Sequence, residues 1–321
     1  MAPVYKIAVV QLHPKPLDIE GNHAAAVKYI RDAARQSIQL AVLPEYHLTS
    51  WVPDDPGFVP LCAQYQKYLD SYCALAKELN ICIVPGTIVE KHGDDLLNIA
   101  YFISSDGSIL GSYQKKNLWH PERPHLSSST HEPQPKKSST TLRAPDRDPA
   151  ESTLTWIEMK DVAFDTPLGK VGMLICWDLA FPEAFRGLIA GGAKIIVVPT
   201  FWTLGDCSPA GLARNPMAEE LFLDSMMTAR AFENTCAVVL ANAGGPRGDE
   251  ERGSWAGGSQ VAVPFLGALG RLGWKEGCSV VELDMEILEE AEANYKVRED
   301  MGREGWHYCY TLTRESHASK A

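Results

Sequence analysis

The chain has 321 residues, of which 45% are hydrophobic and 22% charged, and its formal net charge is -11. These values are typical of a soluble globular protein of one large or two ordinary domains, with enough chain for a substantial core. Nucleic acids and anionic membranes bind through basic patches, so the negative charge argues against either as the main partner.

The beginning of the chain predicts a β-strand, not a targeting segment, because Tyr5–Gln11 is apolar and β-branched without a signal-peptide pattern. No apolar run approaches the roughly eighteen residues of a membrane span. The eight cysteines are scattered and form no C-x-x-C pair. We therefore expect free thiols and a cytoplasmic, reducing compartment.

Hydrophobic periodicity predicts strands and helices that alternate at first and are followed by antiparallel hairpins. The strands predicted before residue 120 are Tyr5–Gln11, Leu40–Leu43, Ile81–Val89, Asn98–Ser104 and Ser108–Gln114. The helices predicted there are His23–Arg35 and Leu61–Leu79. Asp106-Gly107 is a hairpin signal. The mixture predicts sheets with helices packed outside them.

A polar stretch between Trp119 and Trp156 is rich in Ser, Thr and Pro and is too long for an ordinary connector. The strands predicted beyond it are Val162–Phe164, Lys170–Ile175, Lys194–Pro199, Cys236–Asn242, Ser259–Pro264 and Ser279–Leu283. The helices predicted there are Phe181–Ala190, Ala213–Glu233 and Met285–Ala293. No linker divides the chain. We predict a single domain over 1–321, with a polar insertion at about 125–153 and a C-terminal tail from about 295.

The stretch Val171–Glu183 organises the rest of the chain. Five mostly apolar residues lead to Cys176, and Pro182-Glu183 is typical of the first turn of a helix. A cysteine at the end of a buried strand has a rigid support, and nearby backbone N–H groups can lower its pKa and bind an oxyanion. A lone cysteine there is more often a core thiol.

Two more ionisable residues follow apolar strands. Glu45 comes after Leu40–Leu43, and Lys115 comes after Ser108–Gln114. Each alone is compatible with a surface charge. Three such groups, each just past the end of a strand, point to one site, because Glu and Lys are rarely buried unless paired. Common nucleotide-binding, serine-hydrolase and zinc motifs are absent from the sequence.

These residues carry a resemblance to the carbon–nitrogen hydrolase, or nitrilase, superfamily. The signature segments are Leu43-Pro44-Glu45, Tyr113–Leu118 and Cys176-Trp177-Asp178, in the family's order. Flanking segments that also resemble the family are Phe164–Gly169, Val198–Thr200, Arg230–Asn234 and Gly258–Gln260. The similarity covers almost the whole chain apart from the polar insertion. It implies an α/β fold, the four-layer α-β-β-α sandwich.

The resemblance also implies roles for individual residues. Cys176 corresponds to the nucleophile, Glu45 to the general base and Lys115 to the cation that stabilises the oxyanion together with the Trp177 backbone N–H. Lys116 would point outward, and Asn117 stands where many members carry His. Many members have a second glutamate in the loop after the lysine. Glu122 is the best match for it, and Glu132 is the alternative.

The residue two after the cysteine, Asp178, resembles amidase and N-carbamoyl-amine hydrolase members, whereas nitrile-cleaving members carry Glu there. We expect the pocket to be lined by aromatic side chains, each of which could instead be an ordinary core residue. These candidates are Tyr46, Trp51, Trp119, Trp177, Phe201 and Trp202. Such a wall would suit an aliphatic or aromatic amide.

We therefore predict a cofactor-independent and metal-independent hydrolase that cleaves a linear amide or N-carbamoyl compound through a cysteine thioester. The alternatives are a nitrilase, an acyl transferase using the same thioester, and a non-catalytic scaffold, against which the complete Glu-Lys-Cys set speaks. The expected partner is this small-molecule substrate, with no nucleic acid and no membrane. Family members usually pair through outer helices, which implies a homodimer or higher oligomer with Trp306–Tyr310 packed across the partner.

Overall fold

The computed structural model describes residues 2–129, 163–248, 251–304 and 306. Its first strands are β1 (Val4–Gln11), β2 (Leu40–Val42), β3 (Cys82–Val84), β4 (Thr87–His92), β5 (Asp95–Ile103) and β6 (Ile109–Gln114). They are followed by β7 (Phe164–Thr166), β8 (Gly169–Met173), β9 (Ile195–Thr200), β10 (Ala237–Asn242), β11 (Gln260–Val263), β12 (Gly267–Leu269) and β13 (Gly277–Asp284).

The helices lie between and after these strands. They are α1 (Ile19–Ala34), α2 (Phe58–Cys62), α3 (Tyr65–Leu79), α4 (Pro182–Ala190), α5 (Pro209–Arg214), α6 (Ala218–Asn234), α7 (Glu286–Tyr295) and α8 (Val297–Met301). Short 3₁₀ helices span Cys176–Ala180 and Leu204–Asp206. Within the described ranges, no helix is both long enough and apolar enough to cross a membrane.

The strands form a seven-stranded and a six-stranded sheet. The first has the order β13-β1-β2-β3-β5-β4, with β6 paired to β5, and the second has the order β12-β11-β10-β9-β8-β7. The pairs among β1, β2 and β3 are parallel, as are those among β8, β9 and β10. The remaining pairs are antiparallel, as for β13 on β1 and β11 on β10.

Alternate residues of the central strands enter two different cores, as expected from the period of two in a strand. Ile7 and Val9 pack in a cluster with residues of the second sheet, such as Val197. Ala8 and Val10 pack against residues of α1 and α3. Helices α4 and α6 supply apolar side chains to the second sheet. The predicted four-layer α-β-β-α sandwich is therefore confirmed.

Three predicted elements are interrupted in the structure. The predicted strand Ile81–Val89 is two strands, β3 and β4, because Gly86 turns the chain with a φ of +61°. The predicted helix Ala213–Glu233 is split into α5 and α6 around Pro216, which lacks the N–H that a continuous helix requires. The predicted helix Leu61–Leu79 is likewise two helices, α2 and α3, which end and begin on either side of Ala63-Gln64.

The two stretches that we set apart from the domain are described only in part. Residues 130–153 of the polar insertion and residues 307–310 of the tail lie outside the described residues. The beginning of the tail includes helix α8, and the Arg298 guanidinium donates a 2.8 Å hydrogen bond to the Ala193 carbonyl oxygen. This segment is thus docked on the same chain.

Gly86 generates a prediction about stability. A Cβ at this position would lie 1.8 Å from the Pro44 carbonyl oxygen, directly before Glu45. Gly93 has the same φ of +61° but open space around it. Gly93→Ala should lower the free energy of unfolding by about 1–2 kcal/mol, the cost of a left-handed residue. Gly86→Ala should cost clearly more, because the backbone must also move. Equal losses in urea unfolding of the two variants would contradict this.

Candidate active site

The turn after β8 gives Cys176 an unusual backbone conformation. The buried residues Leu174 and Ile175 extend beyond β8, and Cys176 then adopts a φ of +46° and begins the 3₁₀ helix. Non-glycine residues with positive φ are uncommon, and they occur preferentially at functional sites. Helix α4 begins at Pro182, as the sequence predicts. The sharp turn places the Cys176 side chain at the wall of a cavity.

Three ionisable side chains from different parts of the first sheet and its loops meet beside this turn. The Lys115 Nζ atom lies 2.9 Å from Oε1 of Glu45 and 2.6 Å from Oε1 of Glu122. All three residues are buried, and Lys115 has no exposed surface. The structure thus brings together Glu45, Lys115 and Cys176, and it adds Glu122 to them.

The Glu45 carboxylate is held by residues of both sheets. Its Oε2 accepts a 3.0 Å hydrogen bond from the Phe201 backbone N–H, and its Oε1 accepts a 2.8 Å bond from the Asn98 side-chain amide. The Cys176 thiol is close enough to this carboxyl group to lower its pKa. Sequence reasoning missed Asn98, which lies in the interior of β5 and carries no signal that separates it from other strand residues.

Glu122 has three donors around its carboxylate. Besides Lys115, the Tyr46 hydroxyl donates to Oε1 at 2.5 Å and the Trp119 backbone N–H donates to Oε2 at 2.7 Å. Arg123, its neighbour in sequence, directs its Nε to the Leu118 carbonyl oxygen at 3.4 Å. Glu132, the alternative second glutamate, lies outside the described residues.

Burial and neighbouring charges set the protonation of this group. Burial raises the pKa of Glu45, the Lys115 ammonium opposes that rise, and Glu122 adds to it. Burial also raises the pKa of Cys176 well above its usual value, and the nearby Glu45 carboxylate raises it further. Burial favours a neutral Lys115, but the carboxylates of Glu45 and Glu122 raise its pKa. These shifts favour an ammonium ion on Lys115 and a neutral thiol on Cys176.

Asp178 fastens the cysteine turn to the segment that carries Lys115. Its carboxylate accepts hydrogen bonds from the Ile175 N–H at 3.0 Å and from the Tyr113 hydroxyl at 2.9 Å. The Asn117 backbone N–H and side-chain amide donate to it at 3.1 and 2.8 Å. Asp178 is buried and is not part of the cavity wall. It positions other residues and does not face a substrate.

A cavity of about 210 Å³ opens onto Cys176. Its wall contains all six aromatic residues that the sequence suggested. These are Tyr46, Trp51, Trp119, Trp177, Phe201 and Trp202. Glu122, Thr203 and Asp206 supply polar groups to the wall. Sequence reasoning missed Thr203 and Asp206, because they lie in a short loop after β9 that resembles any polar connection.

The grouping of acidic, cysteine and histidine side chains bears on metal binding. Across the described ranges, no three such side chains are arranged to hold a metal ion.

Comparison with known proteins identifies the class. A family model described as carbon–nitrogen hydrolase matches residues 6–293. The chain is 28% identical to the deaminated glutathione amidase of Bos taurus over 291 residues, which cover 88% of this chain and 78% of that protein. It is 29% identical to the nitrilase of Pyrococcus abyssi over 297 residues, which cover 90% of this chain and 93% of that protein.

A solved structure agrees with this match. The carbon–nitrogen hydrolase of Helicobacter pylori superposes with a TM-score of 0.72 at 20% identity, covering 92% of this chain and 94% of that chain. The chain belongs to the carbon–nitrogen hydrolase family, as its sequence resemblance implied. It is a hydrolase that acts on carbon–nitrogen bonds other than peptide bonds.

The buried ion group generates a prediction. Lys115→Met leaves two buried carboxylates without their cation, so it should lower the free energy of unfolding by about 3–5 kcal/mol at about pH 8. Removing the ammonium raises the pKa of Glu45 further, and a group with a raised folded-state pKa loses stability as pH rises through that pKa. The loss should therefore shrink toward about pH 5, as the stranded carboxyl groups take up protons.

The exposed Lys91 near the end of β4 offers a matched control. Lys91→Met should change the free energy of unfolding by less than about 0.5 kcal/mol at either pH. Denaturant unfolding of both variants checks this. A pH-independent loss in Lys115→Met would show that lost packing, not stranded charge, explains the destabilisation.

Proposed function

We propose that the protein is an amidase that hydrolyses a linear carboxamide or N-carbamoyl compound through a thioester on Cys176. The observation that carries this proposal is the burial of Glu45 and Lys115, 2.9 Å apart, next to Cys176, which lines a cavity. Amidase relatives support the choice of amides.

The first step in this mechanism needs a base. The pKa of Cys176 is raised, so the resting enzyme carries a thiol and little thiolate. Glu45 takes the thiol proton as the sulfur attacks the carbonyl carbon, so that the charge moves from the carboxylate to the substrate oxygen. The new carbon–sulfur bond gives a tetrahedral oxyanion.

Lys115 and the Trp177 backbone N–H stabilise that oxyanion. An ammonium has three donors, and Glu45 and Glu122 occupy two of those on Lys115, which leaves one for the substrate oxygen. A preorganised donor of this kind is worth about 2.7–4 kcal/mol of transition-state stabilisation. The carboxylates that hold the ammonium thus also aim it.

The same carboxyl group completes the reaction. Glu45, now protonated, delivers its proton to the leaving nitrogen as the carbon–nitrogen bond breaks, which releases ammonia or an amine and leaves the thioester. Its raised pKa suits an acid of this kind. Water then attacks the thioester while Glu45 accepts its proton, and the acid product leaves as the thiol is reformed.

Nitrile hydrolysis is the second candidate, because the Pyrococcus abyssi relative is named a nitrilase. Acyl transfer is a third outcome of the same intermediate, in which an amine attacks the thioester in place of water. The nucleophile and its neighbours would be shared by all three, so substrate and product analysis must separate them.

A substrate panel tests the proposal. Amides and N-carbamoyl compounds should release ammonia, nitriles should not, and intact-mass analysis should detect an acyl adduct that disappears in Cys176→Ala. Cys207→Ala, in which another free cysteine is removed, should keep full activity. Turnover of nitriles alone would favour the nitrilase, and a hydroxamate as main product with added hydroxylamine would favour the transferase. Unchanged activity in Cys176→Ala would falsify the thioester mechanism.

The pH dependence follows from the raised pKa of Glu45. The carboxylate form is the base, so kcat/KM should fall as pH drops through this pKa, and the acid limb should lie above the usual glutamate value of about 4.3. The rate at which iodoacetamide alkylates Cys176 should rise with pH over the same range as kcat/KM and should then stay constant at higher pH. Peptide mass spectrometry can follow Cys207 in the same samples as a reference thiol.

A simple thiol gains reactivity with pH up to its own pKa, because only the thiolate is the nucleophile. The alkylation rate of Cys207 should therefore keep rising with pH over the range in which the rate of Cys176 is constant. A continuous rise at both cysteines would mean that Cys176 reacts without help from Glu45.

A further inference from the structure

The carboxylate of Asp206 lines the same cavity as Cys176, and its partners are neutral. Its Oδ2 accepts a 2.8 Å hydrogen bond from the Thr203 backbone N–H. No Lys or Arg of the described ranges forms an ion pair with Asp206. Two carboxylate oxygens can accept about four hydrogen bonds, so Asp206 retains free acceptor capacity.

Two acidic residues of α6 near Asp206 form ion pairs with arginines, unlike Asp206 itself. Glu220 pairs with Arg252 and Arg271, each at 2.7 Å, and Asp224 pairs with Arg271 at 2.9 Å. Glu219, close enough to raise the pKa of Asp206, accepts a 2.6 Å hydrogen bond from the Trp202 indole N–H and forms no ion pair with a Lys or Arg of the described ranges. Asp206 and Glu219 thus lack the arginines that neutralise Glu220 and Asp224.

The aromatic side chains of the cavity wall also favour a positively charged ligand, as the Asp206 carboxylate does. Four of the lining side chains are indoles, those of Trp51, Trp119, Trp177 and Trp202. The faces of indole rings attract cations more strongly than those of other aromatic side chains. Among the described residues that line the cavity, none is Lys or Arg. Away from Lys115, which contacts the scissile amide, an anionic substrate would meet carboxylates and ring faces with no counter-charge on the cavity wall.

Asp206 remains available as an anion near neutral pH. Burial raises its pKa to about 6, and the Thr203 backbone hydrogen bond opposes that rise. Above that pKa the side chain is a partly desolvated carboxylate, which a cation would stabilise. The cavity of about 210 Å³ exceeds the roughly 150 Å³ that accommodates benzene, so it suits a small compound.

We propose, resting on the amidase function above, that the substrate is a small amide or carbamoyl compound with a cationic group, such as a primary ammonium, and that Asp206 binds this group. Asp206 is then a specificity-determining residue, which discriminates among substrates by the charge that they carry away from the scissile bond.

Three amides of equal length test the proposal in the unmodified enzyme. They are γ-aminobutyramide, valeramide and glutaramic acid, whose chains end in an ammonium, a methyl and a carboxylate. At about pH 8, kcat/KM for γ-aminobutyramide should exceed that for valeramide by about tenfold or more, since a hydrogen bond to a charged group carries that much discrimination. Glutaramic acid should be the poorest substrate. A preference for valeramide or glutaramic acid would overturn the proposal, and this comparison needs no variant.

Asp206→Asn tests the residue itself. The amide oxygen can still accept the Thr203 N–H, so the loop keeps its hydrogen bond. The variant should lose about tenfold or more in kcat/KM for γ-aminobutyramide while valeramide changes by less than about twofold. Asp165→Asn removes an exposed acid of β7 that is not in the cavity wall, and it should leave both values unchanged. An unchanged charge preference in Asp206→Asn would refute the assignment.

Binding separates this proposal from the amidase function. If none of the amides releases ammonia, the amidase proposal fails, and charge preference is then measured by calorimetry with the Cys176→Ala variant. Tighter binding of γ-aminobutyramide than of valeramide would still support the charge preference. Equal binding, or no binding of γ-aminobutyramide, would overturn it.

Discussion

The burial of the Lys115 ammonium between two carboxylates is the constraint on which the site depends. Moving charges out of water costs several kcal/mol per ion, and a buried ion pair is often no more stabilising than packed apolar groups would be. Lys115 is nonetheless held by Glu45 and Glu122, which are themselves held by Asn98, Tyr46 and backbone N–H groups. The surrounding fold supplies the donors that make this group tolerable.

Part of this arrangement could be predicted because Glu45 and Cys176 each stand just past a run of buried residues, one in each sheet. Lys115 follows β6, a strand of half-buried and exposed residues that pairs antiparallel with β5, so the family resemblance predicted its role and strand burial did not. Asn98 and Asp206 could not be found this way. One lies inside a strand and the other in a short loop, where a polar residue is ordinary until the neighbours across the fold are known.

The predicted strand and helix that are interrupted in the structure have local causes, which the periodicity of hydrophobic residues does not reveal. Pro85-Gly86 lies within an apolar run whose hydrophobic pattern continues unbroken, yet Gly86 approaches the Pro44 carbonyl oxygen too closely for any side chain. Pro216 interrupts a helical pattern in the same way.

The aspartate two residues after Cys176 has a structural role that the sequence resemblance did not explain. Asp178 binds four donors from two segments, so a longer side chain there would shift the cysteine turn relative to Lys115.

The site is divided between the two sheets. Glu45, Asn98 and Lys115 belong to the first sheet and its loops, whereas Cys176 and Phe201 follow strands of the second. No single sheet carries a working set, so reactivity requires the two to be docked face to face. In a compact denatured state that keeps its strands but loosens their mutual packing, the thiol would lose its carboxylate. The Glu45-assisted pH profile of Cys176 alkylation therefore reports on tertiary association, and it should give way to the continuous rise of a simple thiol while the circular dichroism of the backbone is still largely native.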